Sequence, residues 1–235
     1  MKSISKALKQ SFVYHLVHPI NVFLRKRKKK KRNRFFAEEA NSLLREFARI
    51  MNSNQVVVWL DFGTLLGFYR EHDFIPHDCD LDFGSYLYNQ PIIRQALITS
   101  GFKLVREFYS LNDGGMEECY MFKHTTMDVF YYREHNSRLV CNGFRPLETI
   151  NFFLLKKRIP AKVEEYIMPN TGFIEIEYKN CRLWIPKETE SYLRMNYGDD
   201  FMVPNPGFKY QEVATNVSFY DYEEKPGVAI YYKDL

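Results

Sequence analysis

The chain is 235 residues long, 46% hydrophobic and 26% charged, with 20 Phe and 17 Tyr, enough apolar bulk for one substantial core and too much for a globally disordered chain. Its net charge of +4 averages two unlike parts: residues 1–34 hold twelve of the 33 Lys and Arg and no Asp or Glu, which leaves 21 basic against 29 acidic residues in the remainder. A binder of duplex nucleic acid spreads cations over its folded face, so the acidic body argues against nucleic acid as a partner and suits a site that collects divalent cations.

Ile4, Ala7, Leu8, Phe12, Leu16, Ile20 and Phe23 recur at three- and four-residue steps and read as a weakly amphipathic helix broken near Pro19. The apolar stretch from 12 to 24 contains His15, His18 and Pro19 and is shorter than the roughly 20 residues that span a bilayer. No small-residue cleavage site follows, so neither a transmembrane helix nor a signal peptide is expected. Residues 25–34 read RKRKKKKRNR, a self-repelling block expected to form an extended linker. Residues 1–34 are thus read as a basic head and 35–235 as one folded domain.

Phe36, Ala40, Leu43, Leu44, Phe47, Ile50 and Met51 form a helical stripe that ends at Asn52-Ser53-Asn54. Val56-Val57-Val58-Trp59-Leu60 reads as a buried strand, Asp61-Phe62-Gly63-Thr64 as a turn, and a short helix is expected from Thr64 to Arg70. A loop over 71–77 leads into a strand over 79–83. The spacing predicts a helix over 91–100, with Pro91 in its first turn and Gly101 past its end. Strands over 102–109 and 118–122 flank the hairpin signal Asn112-Asp113-Gly114-Gly115, and 127–132 gives a third strand. Residues 144–170 stay open between helix and loop. A hairpin over 173–178 and 181–185 turns at Lys179-Asn180, and a helix over 187–197 stops at Gly198.

Asp78, Asp80 and Asp82 fall at period two, so in a strand they share a face. Carboxylates crowded there repel one another, and divalent cations with oxygen ligands are the usual compensation. An EF-hand loop starting at Asp78 would need Glu at its twelfth position, where the chain has Asn89. Upstream, Gly63 and Thr64 open a helix whose N–H groups and positive dipole end suit a phosphate oxygen. Arg70, about two turns on, is able to pair with a further phosphate. Asp128, within Met127-Asp128-Val129-Phe130, is the expected donor from a third strand. His72 and His77 are candidates for a general base, with a backbone-bonded loop histidine as the plainer reading. His124 reads as a turn histidine, and Trp59 and Trp184 as core. Cys79, Cys119, Cys141 and Cys181 are scattered, without the spacing of a zinc site, and read as reduced thiols of a cytosolic protein.

Gly63-Thr64-Leu65-Leu66-Gly67, then Arg70, Phe74-Ile75-Pro76 and Asp78-Cys79-Asp80-Leu81-Asp82, resemble the signature of the LicD family. A second block agrees: Ile185-Pro186-Lys187, Tyr192-Leu193, Tyr197-Gly198-Asp199-Asp200-Phe201-Met202 and Pro204. The resemblance covers 36–206. It implies an α/β (α+β) nucleotidyltransferase-like fold, a mixed sheet flanked by helices with metal-bound aspartates on adjacent strands. It also implies transfer of phosphocholine, ribitol phosphate or glycerol phosphate from a CDP-linked alcohol donor to a sugar hydroxyl of a glycan such as lipopolysaccharide, capsule or teichoic acid, with release of CMP. On this resemblance Asp80, Asp82 and Asp128 are the catalytic ligands of Mg²⁺ or Mn²⁺, while Gly63, Thr64, Arg70, Asp78 and His77 bind substrate. His77 departs from the pattern, because relatives often carry Trp there. The clustered cysteines of the animal members' zinc loop are lacking, which points to a bacterial-type enzyme. The rivals are nucleotidyl transfer from a nucleoside triphosphate and a non-catalytic membrane- or nucleic-acid-binding protein.

The basic head is expected to hold the protein on an anionic membrane, peripherally and at the cytoplasmic face, where each Lys or Arg contributes roughly 1 kcal/mol and a modest apolar face adds a second signal. Lipid-linked glycans are the acceptors that such a location would serve.

Overall fold

In the computed structural model, which describes residues 12–147, 156–205 and 207–232, the chain opens with a 42-residue helix, α1 (Phe12–Ser53). Its C-terminal half carries the stripe read from the sequence, with Phe36, Ala40, Leu43, Leu44, Phe47, Ile50 and Met51 all buried. Gln55 takes a left-handed backbone, φ 55°. The Val56 N–H thereby reaches back to the Met51 carbonyl at 3.0 Å and closes the helix end.

The helix also runs through the basic block. Residues 25–34, expected to be an extended linker, are helical, and the helix continues through Pro19. Lys and Arg are good helix formers, and adding a turn to an existing helix costs far less than a new nucleus. The block therefore propagates outward from the packed half, and the proline removes one donor without ending the helix. One element thus crosses the position expected to divide head from body. Ile4, Ala7 and Leu8 of the expected amphipathic stretch lie outside the described residues. No helix among the described residues is long and apolar enough to cross a membrane.

Behind α1 the order is β1 (Val58–Leu60), α2 (Phe62–Glu71), β2 (Asp80–Tyr86), a 3₁₀ turn, α3 (Gln90–Thr99), β3 (Lys103–Ser110), β4 (Met116–Phe122), β5 (Thr125–His135), β6 (Arg138–Pro146) and β7 (Lys156–Pro169). Then come β8 (Phe173–Tyr178), β9 (Cys181–Pro186), α4 (Thr189–Tyr197), a short α5 (Tyr210–Val213), β10 (Val217–Tyr220) and β11 (Gly227–Tyr232). All the described strands join one mixed sheet, ordered β10-β7-β11-β3-β4-β5-β2-β1-β9-β8, with β6 pairing to both β5 and β7. That extra pairing closes β5, β6, β7, β11, β3 and β4 into a ring of neighbours. β2 runs parallel to β5 and β1 parallel to β9. The mixed sheet with flanking helices is the architecture that the family resemblance implies.

The main core lies where α1 packs on the sheet, and it joins Leu43 and Phe47 to Leu81, Phe83, Met127 and Val129. The Phe47 and Phe83 rings meet at 4.2 Å between centroids. A smaller cluster of Phe108, Ile159, Ala161 and Ala229 joins three strands of the ring.

The open stretch over 144–170 resolves into the end of β6 and the whole of β7, with 148–155 outside the described residues. β7 buries Ile159, Ala161 and Val163, then Glu164, Tyr166 and Met168. The alternation changes phase at 163–164, which erases the period-two signal. α2 starts at Phe62, two residues before the expected Thr64, because the Asp61 side chain caps it there.

Candidate active site

The site is built from the alternation of β2. Leu81 and Phe83 are fully buried in the main core, which sends Asp80 and Asp82 to the opposite face. β5 lies in parallel register beside it, with Asp82 opposite Asp128 and Asp80 opposite Thr126. One strand further out, β4 sets Cys119 opposite Asp128, and β3 sets Arg106 opposite Cys119. The carboxylates expected to bind metal therefore share one face of two adjacent strands.

The turn into α2 closes a second side. Asp61 is fully buried; its carboxylate accepts from the Phe62 N–H at 2.9 Å and from the Tyr132 hydroxyl at 2.8 Å, and the Tyr192 hydroxyl donates to it as well. Burial pushes this carboxyl up to about 6 even though those donors favour its charged form. Phe62 adopts φ 35°, and the following Gly63 N–H donates to Asp82 Oδ2 at 3.1 Å. The Thr64 hydroxyl accepts from the Asp82 N–H at 2.8 Å, which ties the turn to β2. A Cβ on Gly63 would stand 3.3 Å from both Asp78 Oδ2 and Asp82 Oδ2. A side chain here would therefore crowd both carboxylates and shift them by a few tenths of an ångström.

Burial holds Asp82 well above the ordinary carboxyl range, and repulsion from Asp80, Asp128, Asp78 and Asp61 adds to it. Asp80 is raised by burial and by Asp128, with Arg32 and Arg106 opposing. Asp78 is pushed up to about 6 by burial and by Asp80. Two guanidinium groups stand against the cluster. Arg32 Nη2 lies 3.0 Å from Asp80 Oδ2, and Arg106 Nη2 lies 3.5 Å from Asp128 Oδ1 and 3.0 Å from Cys119 Sγ.

Among the described residues, no three His, Cys, Asp or Glu side chains are already gathered in the geometry of a bound ion. The donor set nevertheless has the chemistry of one. Asp80, Asp82 and Asp128 offer hard oxygen ligands on one face, and their mutual repulsion calls for positive charge. Thr126 Oγ1, on the site side of β5, is a buried oxygen without a hydrogen-bond partner, and Asp128 Oδ1 beside it has no hydrogen bond either and meets Arg106 as an ion pair at 3.5 Å. These residues fit a divalent cation such as Mg²⁺ or Mn²⁺.

Other expected site residues are placed differently. Arg70 lowers the Asp78 carboxyl from a distance, but its Nη1 donates to the Phe201 carbonyl at 3.0 Å and its Nε to Glu71 at 2.7 Å. Seated in the last turn of α2, it joins that helix to residue 201 while its charge still acts on Asp78. His77 is exposed on the rim, where its carbonyl accepts from Asn33 Nδ2 at 2.7 Å. His72 closes α2 in a left-handed conformation. His124 sits in the β4–β5 turn as expected, bonded to Glu39 and stacked on Phe35. All four cysteines are free. The sequence reading passes over Arg32 and Asn33 of α1, Arg106, Thr126 and the Asp61–Tyr132–Tyr192 network. Asp61 carries a signal in hindsight, as a capping residue between a strand and a helix. Arg32 carries none that separates it from its basic neighbours.

Carboxylates paired across parallel strands, beside a capped Gly-Thr turn on a helix-flanked mixed sheet, agree with the nucleotidyltransferase-like fold that the resemblance implies. Residues 55–140 match the family model described as LicD/FKTN/FKRP, nucleotidyltransferase domain, so the stretch that holds β1 to β5 is similar to the LicD family. Over 185 residues it is 28% identical to ribitol-5-phosphate transferase FKTN of Homo sapiens, a match covering 77% of this chain and 37% of that protein. The Mus musculus protein of the same name is 27% identical over 184 residues, with the same coverage. An uncharacterized Caenorhabditis elegans protein is 39% identical over 79 residues, 32% of this chain and 21% of its own length. The chain thus spans 37% of the length of the FKTN proteins. These relatives are animal proteins, and the bacterial-type reading draws no support from them.

Proposed function

We propose that this protein is a metal-dependent transferase that moves a phospho-alcohol from a CDP-linked donor to a sugar hydroxyl of a glycan. The observation that carries the reading is the in-register pairing of Asp82 with Asp128 in the stretch similar to the LicD family. The similar FKTN proteins are named ribitol-5-phosphate transferases, which supports keeping ribitol phosphate with phosphocholine and glycerol phosphate among the candidate transferred groups.

Asp80, Asp82 and Asp128 would hold Mg²⁺ or Mn²⁺, which when bound neutralises and polarises phosphoryl oxygens. The remaining work belongs to the chain's own residues. The positive end of the α2 dipole at Gly63 and Thr64 favours a phosphoryl group beside the carboxylates. The Asp61 network locks that turn, and the Gly63 N–H fixes the orientation of Asp82. Asp78 and His77 line the rim by which an acceptor hydroxyl enters. The exposed Lys30, Lys31 and Arg34 of α1 suit an anionic membrane at the cytoplasmic face, where lipid-linked glycans would be within reach.

The test is CMP release from a panel of CDP-ribitol, CDP-glycerol and CDP-choline with Mg²⁺ or Mn²⁺ and candidate glycans. Wild type should release CMP from at least one donor, and Asp82→Asn should do so about 100-fold more slowly or worse. Pyrophosphate release from CTP without turnover of any CDP-alcohol would replace this reading with nucleotidyl transfer.

A further inference from the structure

The basic block does more than carry charge, because its last turn is docked on the carboxylate site. Asn33 Nδ2 donates to the carbonyls of His77 at 2.7 Å and Asp78 at 3.2 Å, the two residues that lead into β2. Phe35 stacks on His124 with centroids 4.4 Å apart, and Glu39 accepts from the His124 N–H at 2.9 Å, so the turn into β5 is held too. Each clamp grips the backbone just before a strand that bears a site carboxylate. α1 is therefore indexed to the site, and Arg32, one residue before Asn33, is presented to it in a fixed position.

The charges make this placement consequential. Asp78, Asp80, Asp82 and Asp128 would repel an oligophosphate, so a phosphate ligand needs side-chain cations as well as any metal. Arg70 is spent on Glu71 and the Phe201 carbonyl. Arg106 is seated in the sheet wall between Cys119 and Asp128. Arg32 differs from both, since its side chain is 43% exposed and that of its partner Asp80 is 32% exposed. The guanidinium side of this pair is open to water, so Arg32 exchanges partners at less cost than a buried arginine, and its planar fork matches two phosphate oxygens. Lys29, one turn earlier on the helix, lies close enough to act on Asp78 and Cys79 and adds positive charge on the same side.

We infer that Arg32 is a substrate-binding residue of this site, one that leaves Asp80 to hold the diphosphate of a nucleoside diphosphate ligand. The inference rests on the CDP-donor reading and adds a residue from outside the family signature. It also makes the two ligands of the site respond in opposite senses. Asp80 Oδ2 cannot serve a guanidinium and a cation equally, so removing Arg32 should help the cation while harming the diphosphate.

The experiment uses the full chain and two titrations, CDP by calorimetry with saturating Mg²⁺ and Mn²⁺ alone by electron paramagnetic resonance. Arg32→Ala is expected to weaken CDP about tenfold or more and to tighten Mn²⁺ by up to about fivefold. Arg32→Lys is expected to fall between the alanine variant and wild type for CDP. Equal CDP affinity in wild type and Arg32→Ala overturns the inference, and so does weakening of CDP and Mn²⁺ together, which would mean a structural role. If wild type binds no CDP, the donor reading fails and this inference with it.

Discussion

Gly63 and Asp61 do different work in one turn, and substitutions separate them. Alanine at 63 places a methyl 3.3 Å from two carboxylate oxygens but suits the helical backbone. Gly63→Ala should therefore leave urea stability unchanged or slightly raised while slowing CMP release about tenfold or more. Equal rates would show that the carboxylates do not need the close approach. Asp61 tests the electrostatics. Its folded carboxyl titrates near 6 against an ordinary 3.8, so the folded chain holds the proton more tightly than the unfolded one. The stability this confers is present below about pH 4 and lost as pH rises through 6, a change of about 3 kcal/mol. Asp61→Asn does not ionise, so urea titrations from pH 4 to 7 in EDTA should show wild type losing ground to the variant. Parallel pH profiles would contradict the buried assignment. The aspartates of β2 were legible in the sequence because period two is a face rule. Arg32 was not, because eight consecutive basic residues, 25–32, hide the one that touches the site.

At the scale of elements, the seating of β1 on β2 is the most exposed to test. Trp59 lies opposite Gly84 and stacks on Phe173 at 4.1 Å. A Cβ at position 84 would fall 2.0 Å from Trp59 Nε1, and a fully buried indole has no room to retreat. Gly84→Ala should cost about 3 kcal/mol or more by overpacking, read as a lowered urea midpoint. Wild-type stability in that variant would contradict the pairing of these strands. Elements with local punctuation were readable: the α1 stripe, the Asn-Asp-Gly-Gly hairpin and the helix opened by Pro91. β7 was not, because its buried positions change phase at Val163–Glu164, and Pro160 and its charges resemble a loop. The parallel register of β2 with β5 has no local signature. It arises from the chain between them, and it decides that Asp82 meets Asp128.

Over the whole molecule, the net charge of +4 joins a cationic helix to an acidic body, and the structure makes the join a continuous helix. One side of the block faces the carboxylates through Arg32, while Lys30, Lys31 and Arg34 are exposed. Replacing those three with Gln should weaken co-sedimentation with phosphatidylserine vesicles by about 100-fold, at roughly 1 kcal/mol per cation, and wild-type binding should itself fade at high salt. Undiminished co-sedimentation of the triple variant would remove the membrane from this proposal and leave α1 as a site element. The fold class was legible through the family resemblance that the two motif blocks carry, whereas the ring closed by β6 depends on pairings between distant strands.

The claim on which the rest depends is that Asp82 and Asp128, brought together by the β2–β5 register, hold one divalent cation site. Mn²⁺ titration of the full chain by electron paramagnetic resonance reads this without donor, acceptor or turnover. Wild type should bind Mn²⁺, and Asp82→Asn and Asp128→Asn should each lose that binding while keeping the wild-type fold by circular dichroism. Undiminished Mn²⁺ binding in both folded variants would contradict the site.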